Sequence, residues 1–194
     1  MRLFAGLPLP PDVADSLVGA LAPARSLYPR ARWVPASNLH VTLRFFGDVD
    51  DAACAALGEV MAREELRRAA IRCRLGHVGQ FPPRGSPKVL WAGLDRGSPE
   101  VHALWEALMR ILSPLEGQGG PLHGLPRDNR DFTPHITVAR SGNALLRPLD
   151  WAEKVRMPDM DFEITECILY QSLLGSGGAR YVPMKKALLG EGES

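Results

Sequence analysis

The sequence predicts an α+β fold built on largely antiparallel sheets. Two pairs of predicted strands, 71–81 with 89–94 and 162–173 with 180–189, are joined by links of hairpin length, too short for a parallel crossover. Helical segments alternate with strands elsewhere. Even so, no glycine-rich phosphate loop of the G-x-G-x-x-G or G-x-x-x-x-G-K-[ST] kind is present, which excludes dinucleotide-binding and P-loop NTPase readings. At 194 residues the chain fits one domain, or two small lobes sharing a core, and needs no disulfide or metal to fold.

The elements follow in order. Arg2 to Leu7 is a first strand, and Pro10-Pro11-Asp12 opens a helix with Val13, Leu17, Val18 and Leu21 on one side. Trp33-Val34 is a short extended piece ended by Pro35. His40 to Phe46, rich in β-branched and aromatic residues and closed by Gly47-Asp48, is a strand. Asp51 caps a helix running to about Arg68. Ile71 to Phe81 and Val89 to Leu94 are strands flanking the loop Pro82-Pro83-Arg84-Gly85-Ser86-Pro87, and Ser98-Pro99-Glu100 starts a helix through Leu112. Ser113 to Pro134, full of Gly, Pro and charge, is expected as a long mobile loop carrying Arg127 and Arg130. His135 to Arg140 is a strand and Leu149 to Val155 a short helix. Phe162 to Leu173 and Arg180 to Leu189 form a hairpin across Gly175-Ser176-Gly177-Gly178.

Composition narrows the function. Lys+Arg is 23 and Asp+Glu 22, so the net charge of +1 argues against coating a nucleic-acid duplex, though not against gripping one or two phosphates. Cys54, Cys73 and Cys167 are scattered without metal-ligand spacing, so neither a disulfide framework nor a zinc site is expected, and a cytoplasmic location is. No apolar stretch approaches a membrane span, and no membrane partner is expected.

One pattern stands out. His40-Val41-Thr42-Leu43 recurs as His135-Ile136-Thr137-Val138, so two of the five histidines and two of the four threonines fall in one repeated tetrapeptide. On a strand, residues two apart share a face. His40 and Thr42 therefore project together while Val41 and Leu43 enter the core, and His135 and Thr137 do the same against Ile136 and Val138. Facing each other across a cleft, two imidazoles can serve as general acid and general base near neutral pH, and two hydroxyls can donate to phosphoryl oxygens. No metal or other cofactor is required. His77 and His102 lack such a partner pattern.

Around these residues the chain resembles the 2H phosphoesterase superfamily and, within it, the RNA 2′,3′-cyclic phosphodiesterases once called 2′-5′ RNA ligases. The resemblance runs through Arg2–Pro10, Trp33-Val34, Asn38–Val49, Lys88–Leu94 and Phe132–Arg140. It implies a single bilobal domain over 1–194, with two largely antiparallel sheets around a central cleft, helices outside and pseudo-twofold symmetry. It implies hydrolysis of a terminal 2′,3′-cyclic phosphate on RNA or a nucleotide to a 2′-phosphate. His40 would be the proton donor and His135 the acceptor, and Thr42 and Thr137 would hold the phosphate. It also implies an aromatic residue and an arginine on the terminal base. Phe45 and Arg140, each five residues after its histidine, fit the internal symmetry. Simple alternation points them away from the histidines and favours Phe46 instead, unless a bulge intervenes. A monomer is expected. The rival readings are a binder of nucleotides or RNA ends without turnover, weak 2′-5′ RNA ligation, and a different small cyclic phosphate as substrate.

Overall fold

The structure is a computed structural model that describes residues 1–126, 131–141, 151–175 and 178–190. Among them the order is β1 (Arg2–Pro8), α1 (Pro11–Ala20), α2 (Ala22–Leu27), β2 (Arg32–Trp33), β3 (His40–Asp48), α3 (Asp51–Val60), β4 (Ile71–Phe81), β5 (Val89–Arg96), α4 (Ser98–Leu112), β6 (Ile136–Arg140), α5 (Trp151–Lys154), β7 (Asp161–Ile164), β8 (Glu166–Gly175) and β9 (Gly178–Leu188).

The α+β class and the antiparallel pairing are as expected. The strands run β7-β4-β5-β6-β3-β1-β8-β9 in one sheet, with β2 beside β6. The two expected sheets are its two halves, β7-β4-β5-β6 and β3-β1-β8-β9. They join where β3 meets β6, at the single pair Val41↔Ile136. The halves correspond strand for strand outward from this seam, and each of the two inner strands carries one copy of the repeated tetrapeptide. The chain crosses between halves: β4 follows β3 yet pairs with β5, and β8 follows β6 and β7 yet pairs with β1.

The helices hold this sheet by burying one face each. Val13, Ala14 and Leu17 of α1 are buried, as are Ala53, Leu57 and Val60 of α3. On α4 Val101, Leu104, Ala107, Leu108 and Leu112 are buried at three- and four-residue spacing, the signature of a core-facing stripe. They join one cluster with Leu3, Leu7, Val41, Leu90 and Ile136 of the sheet.

Three boundaries differ from the sequence reading. The cap of α3 is Asp50, whose carboxylate accepts from the Ala53 N–H at 2.8 Å, and the helix ends at Val60. A 3₁₀ turn over Glu64–Leu66 follows, which drives Leu66 fully into the core. The expected strand 162–173 is two strands, β7 on β4 and β8 on β1 and β9, because the chain changes halves at Thr165. The segment after α4 starts with a 3₁₀ turn, Ser113–Glu116, and sinks Leu122 into the core at 1% exposure. A buried ion pair ties it to the sheet: Arg44 on β3 donates to Glu116 at 2.8 Å. Arg127 and Arg130, the start of the expected 149–155 helix and the Ser176-Gly177 tip lie outside the described residues.

Candidate active site

The pair Val41↔Ile136 sets the site. Paired residues of antiparallel strands point to the same side. Val41 and Ile136 are both fully buried, so His40, Thr42, His135 and Thr137 all project from the opposite face. The structure thus brings both histidines and both threonines together, and all four are half-buried.

Each ring is held alike. His40 Nδ1 lies 2.7 Å from the Asn38 carbonyl oxygen, and His135 Nδ1 lies 2.7 Å from the Thr133 carbonyl oxygen. A carbonyl only accepts, so each ring carries a proton on Nδ1 and directs Nε2 to chemistry. His40 Nε2 then accepts from the Thr42 hydroxyl at 2.9 Å. Aromatic walls flank both rings. Phe4 and Tyr181 stand 4.8 and 5.2 Å from His40, and Phe81 and Trp91 stand 5.0 and 6.1 Å from His135. Two glycines make room. A Cβ on Gly6 would lie 3.0 Å from His40 Cδ2, and a Cβ on Gly79 would collide with the Trp91 ring.

Burial pushes the His40 imidazole down from 6.5 to about 4. The Asn38 carbonyl opposes this by holding the ring proton, and the positive charges of Arg140 and His135 reinforce it. His40 is therefore neutral at pH 7 in the ligand-free protein. Among the described residues no group of three or more His, Cys, Asp or Glu side chains is placed to hold a metal ion.

Both motif strands break alternation at the same place. Gly6 pairs with Thr42 and Ala5 with Arg44, so Leu43 is an extra residue on β3. Trp91 pairs with Thr137 and Leu90 with Ala139, so Val138 is the extra residue on β6. Each bulge falls three residues after its histidine and buries two consecutive positions, Leu43-Arg44 and Val138-Ala139. Parity is reset beyond it. Phe45, 39% exposed, and Arg140, also exposed, return to the side of the histidines. Phe46 is 1% exposed in the core, which corrects its candidacy for the base: it offers no surface to a ligand. The Arg2 guanidinium sits 4.8 Å over the Phe45 ring.

Sequence reasoning missed the aromatic walls and the two carbonyls. The signal for the carbonyls was a fixed offset, since each lies two residues before its histidine. The walls come from strands distant in sequence and carry no local pattern.

No helix among the described residues is long and apolar enough to cross a membrane. The sequence profile of the 2′-5′ RNA ligase superfamily matches residues 10–175. Over 147 residues the chain is 31% identical to the RNA 2′,3′-cyclic phosphodiesterase of Aeropyrum pernix, covering 74% of this chain and 78% of that one. The crystal structure of TT0787 of Thermus thermophilus superposes with a TM-score of 0.80 at 28% identity, covering 99% of this chain and 100% of that one. Escherichia coli LigT, crystallised with 3′-AMP, gives a TM-score of 0.75 at 26% identity, covering 97% of each chain.

Proposed function

The chain belongs to the 2′-5′ RNA ligase superfamily, and from that premise we propose that it is a cyclic phosphodiesterase that opens the 2′,3′-cyclic phosphate at the end of an RNA or nucleotide, by metal-independent catalysis with two histidines. One observation carries the mechanism: two His-x-Thr segments meet at Val41↔Ile136, each ring held through Nδ1 by the carbonyl two residues before it. With Nδ1 so held, Nε2 is the nitrogen that each ring would use for protons at the phosphorus.

His135 accepts a proton from water as the water oxygen bonds to phosphorus. The bond from phosphorus to the 3′ oxygen breaks, and His40 delivers a proton to that oxygen. The products are a 2′-phosphate and a free 3′-OH. Thr42 and Thr137 donate to the non-bridging oxygens, where negative charge builds in the transition state. Phe45 and Arg140 clasp the terminal base.

The donor role requires His40 to be charged when it acts. The phosphodiester anion supplies the reason. Its negative charge offsets Arg140 and His135, and it draws the Thr42 hydroxyl from His40 Nε2 to a phosphoryl oxygen, freeing that nitrogen for a proton.

The test is an RNA oligonucleotide ending in 2′,3′-cyclic phosphate, incubated with the protein in EDTA. The expected product is the 2′-phosphate alone, formed at the same rate with and without chelator. A 3′-phosphate product, or activity that EDTA abolishes and Mg²⁺ restores, contradicts the mechanism. Binding of the oligonucleotide without turnover supports the rival binder.

A further inference from the structure

Beside His40, away from Phe45, the surface opens into a cleft of about 410 Å³ that no step of the hydrolysis uses. It lies between the end of β1, the start of α1, the turn before β3, and the tyrosines of β8 and β9. His40 forms part of its wall, so it is continuous with the reacting centre. Its volume is within the range of pockets that take small organic ligands, about 300–1,000 Å³.

The lining specifies a ligand. Tyr170 and Tyr181, with ring centroids 6.2 Å apart, present aromatic surface, and Leu9 and Ala14 add apolar contact. No hydrogen bond within the described residues engages either tyrosine hydroxyl. No Lys or Arg lines the cleft, and its one charged group is the Asp15 carboxylate. Such a surface takes an uncharged planar ring and repels a phosphate. The walls are fixed: Tyr170 stacks on Phe4 at 5.1 Å, and the Asn38 side-chain amide donates to the Ala179 carbonyl at 2.6 Å, holding β9 against the turn before β3.

Position completes the argument. Phe45 lies opposite Phe4 and His40 opposite Pro8, four residues apart on β1, which is about 13 Å at the usual strand rise. A nucleotide whose base rests on Phe45 and whose phosphorus sits between the threonines leaves the cleft empty. We propose that this cleft is a subsite for the base of a second nucleoside, the one preceding the cyclic end, so that the enzyme binds a dinucleotide rather than only its terminal unit. The inference rests on the hydrolytic reading above.

Calorimetric titration tests it with two products, a nucleoside 2′-phosphate and a dinucleotide ending in 2′-phosphate. The wild-type protein is expected to bind the dinucleotide at least about tenfold more tightly, the worth of one stacked base. Ser37→Leu fills the cleft from an exposed position with a side chain that cannot stack. It should bring that ratio close to one and leave the mononucleotide Kd unchanged. Equal affinities in the wild type, or a ratio that survives in Ser37→Leu, overturn the subsite. Turnover of cyclic-phosphate ends is followed in parallel. Its absence defeats the hydrolytic reading, whereas the ratio of Kd values judges the cleft without it.

Discussion

At His40 the ligand-free protein holds a neutral imidazole whose Nε2 lone pair is taken by the Thr42 hydroxyl. A phosphate monoanion beside such a ring favours its charged form and raises its pKa above the ligand-free value of about 4. Histidine NMR titration of the free protein should therefore find His40 titrating near 4, and addition of a nucleoside 2′-phosphate should move it up. A ring that stays near 4 in the complex reverses the donor and acceptor roles. Kinetics adds a second check. His40→Ala and His135→Ala should each lower kcat by about 10²- to 10⁴-fold, the usual cost of losing a general acid or base. Thr42→Ala and Thr137→Ala each remove one proposed donor to a charged oxygen, about 1.5–3 kcal/mol, and should cost less. A folded histidine variant with near-normal turnover would remove that residue from the mechanism. The four motif residues were legible in the sequence because period-two alternation holds within the tetrapeptide. Phe45 against Phe46 was not decidable there, because Leu43 breaks the period just before them.

The bulges at Leu43 and Val138 make the strand, rather than the residue, the unit that builds the site. A regular strand would bury Phe45 and Arg140 and expose Arg44, which here enters the core to meet Glu116. The same level of structure accounts for the elements misjudged from sequence. Alternation breaks at Thr165-Glu166, two polar residues in succession, but a bulge inside one strand would give the same break, so the sequence does not tell it from the change of partner at Thr165, which only the need of β4 and β1 for separate neighbours decides. Likewise, the helix-favouring residues Ala62 to Leu66 run on past Val60, but Leu66 would lie opposite Leu57 on a continued helix, so its burial requires the chain to turn. Gly6 is the sharpest test at this scale. A Cβ there would lie 3.0 Å from the His40 ring and 3.1 Å from the Val41 carbonyl oxygen, so its absence lets β1 pass close to both. Gly6→Ala crowds both, so it should destabilise the fold by about 1–3 kcal/mol and lower kcat more than KM rises. Chemical denaturation and steady-state kinetics on the one variant give both numbers. An alanine there with unchanged stability and kcat would show that the ring has room to move.

For the whole molecule, the neutral His40 makes stability depend on pH. The unfolded chain protonates this residue below about 6.5, while the folded chain resists until about 4. The unfolded state therefore binds more protons in that window, and stability rises with pH across it. Acidification from 7 to 4.5 should cost the wild type up to about 3 kcal/mol from this group. His40→Gln should show a shallower fall in denaturant midpoint over the same range. Identical slopes would place the acid sensitivity elsewhere. The seam between the two halves of the sheet acts at this scale too. One backbone pair, Val41↔Ile136, stitches them together, and the same pair spaces the two imidazoles. The molecule is in effect a calliper whose jaws carry His40 and His135, the proposed proton donor and acceptor. Any parting of the jaws draws the two groups apart together, so a protein loosened at its waist falls silent before it unfolds.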